Sequence, residues 1–267
     1  MNSGFVQDPL FSVEGQVVLA IGASRGIGQA LAAAFAQRGS KVVIAGREQA
    51  TIEAAARDMS VDAATVEGYV CDVSNPDDVE TLVQAVIDRH GRIDTLLNVA
   101  GINIRKRVET YSVEEYDRIL DVNLRGLFVS SQAVGRRMLE AGGGAIINID
   151  SLNTYAPLKG VTPYAMSKAG LGMMTRGMAL EWGPRGVRVN AIAPGFFPTE
   201  LSRKVWEQPR MMEWGREVMP LQRLGDTQEL VGAAVFLASR ASSYVTGQIL
   251  RVDGGISAGI NWPIELD

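Results

Sequence analysis

The sequence predicts a doubly wound α/β fold, a parallel sheet with helices on both faces, in a single domain spanning residues 1–267. Three observations carry this. Short apolar runs alternate with longer segments of helical period along the chain, the runs are apolar throughout, and the first enters a helix through a glycine-rich turn. Strands apolar on both faces and separated by helices require a parallel sheet covered on both sides and joined by right-handed crossovers.

The elements follow in order. The run QVVLAIG is the first strand, and residues 26 to 38 form the first helix. KVVIAG is the second strand, followed by a helix over 48 to 58, and TVEGYVCDV the third, followed by a helix over 76 to 90. IDTLLNVAG is the fourth strand, and residues 112 to 139 are read as one long helix. GAIINID, a helix from Pro163 to about Trp182, VRVNAIAPG, a helix from about Asp226 to Ala238 and GQILRVDGG complete the alternation. Ser-x-x-acid patterns at Ser74 and Ser112 predict capping boxes, and Gly39, Gly91 and Gly183 follow predicted helix ends. One stretch breaks the rhythm. Residues 196 to 224 are rich in Met and Trp and are read either as a substrate lid or as apolar residues buried against the domain or a sister subunit.

With 46% hydrophobic and 21% charged residues, the composition is that of an ordinary soluble protein. Net charge is −4 with no basic block, which argues against nucleic acid and against an anionic membrane as partners and leaves a small molecule. The single Cys71 cannot form an internal disulfide, and MNSGFVQDPLFSVEGQ has neither a basic start nor a long apolar run, so the expected location is the cytoplasm. With one histidine and one cysteine, no nitrogen/sulfur metal cluster, Cys-His dyad or Ser-His-Asp triad is expected. His90 is read as a solvent-facing residue at a helix end.

GASRGIG, Gly22 to Gly28, is where a dinucleotide pyrophosphate would sit. Glycines permit the tight turn and close backbone approach, and the helix N-terminus attracts negative charge. Its spacing is G-x-x-x-G-x-G and departs from the general G-x-G-x-x-G fingerprint, and a glycine turn without ligand is the alternative. At the end of the second strand, where an acidic residue would bind a ribose 2′-hydroxyl, the chain has Gly46 and Arg47, with Arg25 inside the glycine loop. Two guanidiniums able to converge on a 2′-phosphate favour NADP(H), with NAD(H) the lesser cofactor.

TPYAMSK places Tyr164 and Lys168 four residues apart, with Thr162 suited to the N-cap and Pro163 to the first helical position. Bringing a phenol with a pKa near 10 to ionisation at pH 7 costs about 4 kcal/mol, and a neighbouring ammonium and a helix N-terminus both lower that cost. An exposed Tyr and Lys at helical spacing is the alternative.

Taken together these motifs resemble the short-chain dehydrogenase/reductase family, from about Gly15 to Gly255. GASRGIG is similar to its glycine motif, NVAG (Asn98 to Gly101) to its Asn-Asn-Ala-Gly, Asn123 to its helix asparagine and YAMSK to its Tyr-x-x-x-Lys. Ser151 stands thirteen residues before Tyr164, as the family's serine does. The resemblance implies a Rossmann-like fold and catalytic Asn123, Ser151, Tyr164 and Lys168. Tyr164 would move the proton at the substrate oxygen, Lys168 would lower its pKa and hold the nicotinamide ribose, Ser151 would hydrogen-bond the carbonyl, and Asn123 would hold a water.

Implied cofactor contacts are Gly22, Ser24, Arg25, Gly26, Ile27, Gly28, Arg47, Asp72 and Val73 near the adenine, Asn98, Ala100, Gly101, Tyr164, Lys168, and Pro194, Gly195, Phe197 and Thr199 of the segment closing on the nicotinamide. Ile21, Val99 and Asp150 depart from the pattern, where the family commonly has threonine, asparagine and serine.

Within the family, AGINIRKR, MMTRGMALEW and APGFFPTEL resemble gluconate 5-dehydrogenases and related sugar-acid dehydrogenases, which implies Arg105 as a carboxylate ligand beside Ser151 and Tyr164 and a homotetrameric assembly. A solvated basic loop or a subunit contact is the other reading of Arg105. Acyl thioesters, steroids and small ketones are the alternative substrates, and a non-catalytic nucleotide-binding protein is the alternative class.

Overall fold

In the computed structural model, which describes residues 8–60, 66–200, 202–260, 262 and 264, one seven-stranded parallel sheet runs through the molecule. The strands are β1 (Val17–Ile21), β2 (Lys41–Gly46), β3 (Val66–Val70), β4 (Thr95–Asn98), β5 (Gly144–Ile149), β6 (Val187–Pro194) and β7 (Ile249–Val252). Their order is β3-β2-β1-β4-β5-β6-β7. The connection reverses direction between β1 and β4, and ligands of open α/β sheets bind in the crevice outside the strand ends at such a point.

The helices are α1 (Gly26–Ala36), α2 (Gln49–Met59), α3 (Pro76–His90), α4 (Val113–Leu120), α5 (Gly126–Ala141), α6 (Thr162–Trp182), α7 (Arg203–Trp206), α8 (Pro209–Val218) and α9 (Val231–Ala238). Along β1 the side chains divide strictly by turn: Val18 and Ala20 enter the core beneath α1, α2 and α9, while Val17, Leu19 and Ile21 enter the core beneath α3, α5 and α6. Burying each such aliphatic side chain contributes about 1.5–3 kcal/mol, and the two cores clamp the sheet from both faces.

Several expectations need correction. The two edge strands are not apolar throughout: β3 is exposed at Gly68 and Val70, and β7 at Leu250 and Arg251, because an edge strand is covered incompletely. The long helix over 112 to 139 is interrupted by a π-helical stretch, Asp121–Arg125, in which the Gly126 N–H reaches back to the Asp121 carbonyl. The cap of α3 is Asn75, which accepts from the Asp77 N–H, while Ser74 turns away to Asp72. The helix α6 begins one residue early, so Val161 is its N-cap and Thr162 lies within it. Gly183 is right-handed and opens a short 3₁₀ turn, and the left-handed residue is Gly186. A 3₁₀ turn over Thr227–Leu230, capped by Asp226 and Glu229, precedes α9. His90 is largely covered, with its side chain 10% exposed and Nε2 3.5 Å from Glu67. The capping box at Ser112 with Glu115 and the left-handed Gly91 are as expected. Thr65, Leu201 and the first seven residues lie outside the described residues. Among the described residues no helix is long and apolar enough to cross a membrane.

Candidate active site

A cavity of about 710 Å³ lies at the C-terminal ends of β1, β2, β4, β5 and β6, beneath the segment from Phe196 to Trp214. One end is a backbone cradle. Gly22 has φ +85°, and a Cβ there would stand 2.5 Å from the Cα and N of Ala100. A Cβ on Gly28 would stand 2.5 Å from the Gly22 carbonyl. Glycine is therefore required at both positions, once for the approach of two strand-end loops and once for helix against turn. Arg25, the N-cap of α1, makes no side-chain cap, so the first N–H groups of the helix remain available to an anion. These features fit the pyrophosphate of a dinucleotide.

Ser24, Gly26, Ile27, Arg47, Asp72, Val73, Ala100, Gly101, Pro194, Gly195, Phe197 and Thr199 also line the cavity. Asp72 accepts from the N–H and hydroxyl of Ser74 at 2.9 and 2.7 Å. Burial works against its ionisation, but these bonds and the Arg47 charge hold its carboxyl below the usual carboxylate range. Arg47 lines the cavity, whereas Arg25 also reaches across to Glu200 at 3.3 Å in an exposed ion pair. Cys71 also faces the cavity, and burial pushes its thiol up to about 12, which removes it as a nucleophile.

Asn98 does not line the cavity. Its amide donates to Ser131 and Asn148 at 2.8 and 2.9 Å and accepts from Ser130, while Asn148 donates to Thr175. This fully buried network ties β4, β5, α5 and α6 together below the site. Asn123, on the π-helical stretch, is buried directly behind the cavity wall, where a Cβ on Gly101 would stand 3.5 Å from its Oδ1 and 3.9 Å from Lys168 Nζ. Its amide accepts from the Ile102 N–H at 2.8 Å and donates to the Ile102 carbonyl and Ser167, so it braces the loop after β4 against α6.

The reactive groups meet at the other end. Ser151, at the end of β5, is buried and accepts from the backbone and side-chain N–H groups of Asn153, and Tyr164 is hydrogen-bonded with it. Lys168 lies one turn after Tyr164, with Nζ 5.7 Å from the phenol ring centroid, and donates to the Ile149 carbonyl at 2.7 Å. The expected lowering of the Tyr164 pKa is absent. Burial pushes the phenol up to about 12, against the Ser151 hydrogen bond and with Asp150 adding to the rise. Burial also brings Lys168 down to about 8, with Asp150 opposing. Desolvation acts on both members, so the ammonium offers less than helical spacing alone suggests.

At the mouth, the three basic residues after β4 separate. Arg105 lines the cavity, Lys106 turns to Glu115 at 2.8 Å, and Arg107 is exposed outside it. The Lys106 N–H donates to the Gly160 carbonyl, which sets this loop beside the one carrying Lys159, a second cation on the cavity wall. Sequence reasoning missed Lys159, because its place depends on a contact between loops far apart in the chain. Phe196, Trp206 and Trp214 also line the cavity, with the Trp206 and Trp214 ring centroids 4.9 and 5.5 Å from that of Phe196. The Met/Trp-rich richness of 196 to 224 pointed to them as a group without fixing which face the cavity.

Comparison with known proteins agrees with this geometry. The family model described as enoyl-(acyl carrier protein) reductase matches residues 22–257. The chain is 39% identical to gluconate 5-dehydrogenase of Gluconobacter oxydans over 94% of its length and 98% of that protein's. It is 40% identical to D-threitol dehydrogenase of Mycolicibacterium smegmatis, over 92% and 94% of the two chains. A crystal structure of a gluconate 5-dehydrogenase from Burkholderia cenocepacia in complex with NADP and tartrate superposes with a TM-score of 0.91 at 36% identity, covering 94% of this chain and 99% of that one. With its seven-stranded parallel sheet, glycine cradle and Ser-Tyr-Lys cluster, this chain is an oxidoreductase that belongs to the short-chain dehydrogenase/reductase family.

Proposed function

We propose that the protein interconverts a secondary alcohol and a ketone on a sugar acid, gluconate or a keto-gluconate, with NADP(H) as preferred cofactor. The observation that carries the substrate class is Arg105 lining the cavity mouth beside Lys159 while its neighbour Lys106 is committed to Glu115. Two cations flanking the entrance suit a carboxylate, and an arginine can grip one with two parallel hydrogen bonds. The complex of the Burkholderia cenocepacia protein with tartrate, itself a hydroxy acid, supports this reading. The aromatic wall of Phe196, Trp206 and Trp214 would cover the substrate's carbon face, with residues 196 to 224 as the lid that excludes water.

The cofactor preference rests on Arg25 and Arg47 at the cavity and on Gly46, which leaves no carboxylate at the end of β2 to repel a 2′-phosphate. The bound nicotinamide supplies or accepts the hydride. Ser151 orients the substrate oxygen by hydrogen bonding, Tyr164 donates a proton to that oxygen in reduction and takes one from it in oxidation, and Lys168 holds positive charge beside the phenol. Burial raises the proton affinity of Tyr164, which favours the phenol as proton donor in reduction and makes alkaline solution the favourable condition for oxidation.

A panel of sugar acids, polyols and keto acids assayed by NADPH and NADH absorbance tests the proposal. The expected result is highest kcat/KM with a gluconate/keto-gluconate pair and NADP(H). Higher kcat/KM with neutral ketones or an acyl thioester, or equal values with both cofactors, would contradict it.

A further inference from the structure

Asp150 stands next to the reactive serine and is buried at 2% exposure. Its backbone N–H donates to the Ile192 carbonyl at 2.7 Å, which fixes it at the end of β5. Oδ1 accepts from Thr154 at 2.6 Å, and Oδ2 is buried with no hydrogen-bond partner. The room for this oxygen comes from α6. A Cβ on Gly172 would lie 3.5 Å from Oδ2, in a hollow shared with Ile249 and Thr154.

Tyr164, Lys168, Gly172 and Arg176 are spaced four residues apart, so they form one stripe along α6. The carboxyl thus lies one turn beyond Lys168, at the point where the stripe lacks a side chain, and Lys168 itself bonds the carbonyl of the preceding residue, Ile149. Among the described residues the charged or titratable groups acting on it are Lys168 and the exposed Arg176 from α6, with Tyr164 on the same stripe. β6 meets it with a backbone carbonyl, and β7 with Ile249.

We propose that Asp150 is a positioning charge that keeps protons on the Tyr164–Lys168 pair, confining alcohol oxidation to alkaline solution while leaving carbonyl reduction active at neutral pH. A negative charge in a water-poor site raises the proton affinity of every group near it. The Asp150 charge acts on both the phenol and the ammonium, so the proton affinity of each is raised by it. Burial pushes Asp150 itself up to about 6, against the Thr154 hydrogen bond and the Lys168 charge, so at pH 7 and above it carries its charge. In oxidation the alcohol gives its proton to the Tyr164 phenolate as its hydride leaves for the nicotinamide. Asp150 thus adds to burial in lowering the fraction of phenolate at a given pH.

The inference rests on Tyr164 as the proton-transfer group, and the test separates the two. Tyrosinate absorbance is titrated in the cofactor-free protein for the wild type, Asp150→Asn and Asp150→Ser, each with Tyr164→Phe subtracted, and the pH profile of kcat/KM for alcohol oxidation is measured alongside. The expected result is a Tyr164 titration and an oxidation limb both displaced downward by about one pH unit in both variants, which is about tenfold faster oxidation at a fixed pH below the limb. A titration that stays in place or moves upward in both variants overturns the proposal, as does an equal loss of rate at every pH with the limb unmoved. A displaced titration with wild-type turnover in Tyr164→Phe supports the Asp150 role and refutes only the catalytic assignment.

Discussion

The floor and the roof of the cavity are built on different principles. The floor carries Ser151, Tyr164 and Lys168 on β5 and α6, elements tied by the buried Asn98–Asn148–Thr175 network and clamped by cores on both faces of the sheet. The roof, α7 and α8, is held by a separate small cluster of Leu152, Phe196, Trp206 and Met219 and by the exposed Arg25–Glu200 pair. Exposed ion pairs contribute about 0–1 kcal/mol, so the roof's stability rests on a handful of apolar contacts. Proton transfer needs geometry fixed to a fraction of an ångström, and substrate entry needs a part that can open. The proposed function assigns the two demands to these separate parts of the fold.

The largest effect expected from breaking the floor is on chemistry. Tyr164→Phe should lose about 10²- to 10⁴-fold in turnover while binding NADPH, followed by tryptophan fluorescence, as the wild type does. Wild-type turnover in a folded Phe variant would remove Tyr164 from the mechanism.

The next effect compares the two regions by stability. Trp182 lies in the core beneath α6 against Gly135, where a Cβ would come within 2.6 Å of its ring, whereas Trp206 belongs to the roof cluster, and the two are 9% and 8% exposed. Truncating a buried tryptophan costs about 3–5 kcal/mol. Trp182→Ala should lower Tm by roughly 10 °C. Trp206→Ala should shift Tm by less than half as much and speed hydrogen exchange selectively in α7 and α8. Equal Tm losses would mean that roof and floor unfold as one unit.

What could be read in the sequence follows the same division. Periodicity and glycine placement are local, so the strands, the cradle and the Tyr164/Lys168 pair were legible, together with most of the cavity wall from Gly22 to Thr199. Asn98 and Asn123 were identified as residues, but their turn toward Ser131 and Ile102 depends on packing between distant segments. The polar residue Asn148 inside an apolar strand and the Ser130-Ser131 pair were the available signals of a buried network. The proton affinity of Tyr164 is not legible in helical spacing, which reports proximity and carries no information on desolvation. Lys159 was invisible for a related reason, since contacts between distant segments, the Lys106 N–H and the Tyr111 hydroxyl both donating to the Gly160 carbonyl, set its loop beside Arg105.

The most direct test of the division between chemistry below and selection at the mouth is kinetic. Arg105→Ala is assayed on gluconate and on a neutral polyol such as threitol. Loss of a carboxylate contact should raise KM for gluconate about tenfold, equivalent to about 1.4 kcal/mol, with kcat and the threitol KM nearly unchanged. Equal losses on both substrates, or no loss on either, would contradict the account, because selection for the acid would then reside elsewhere than at Arg105.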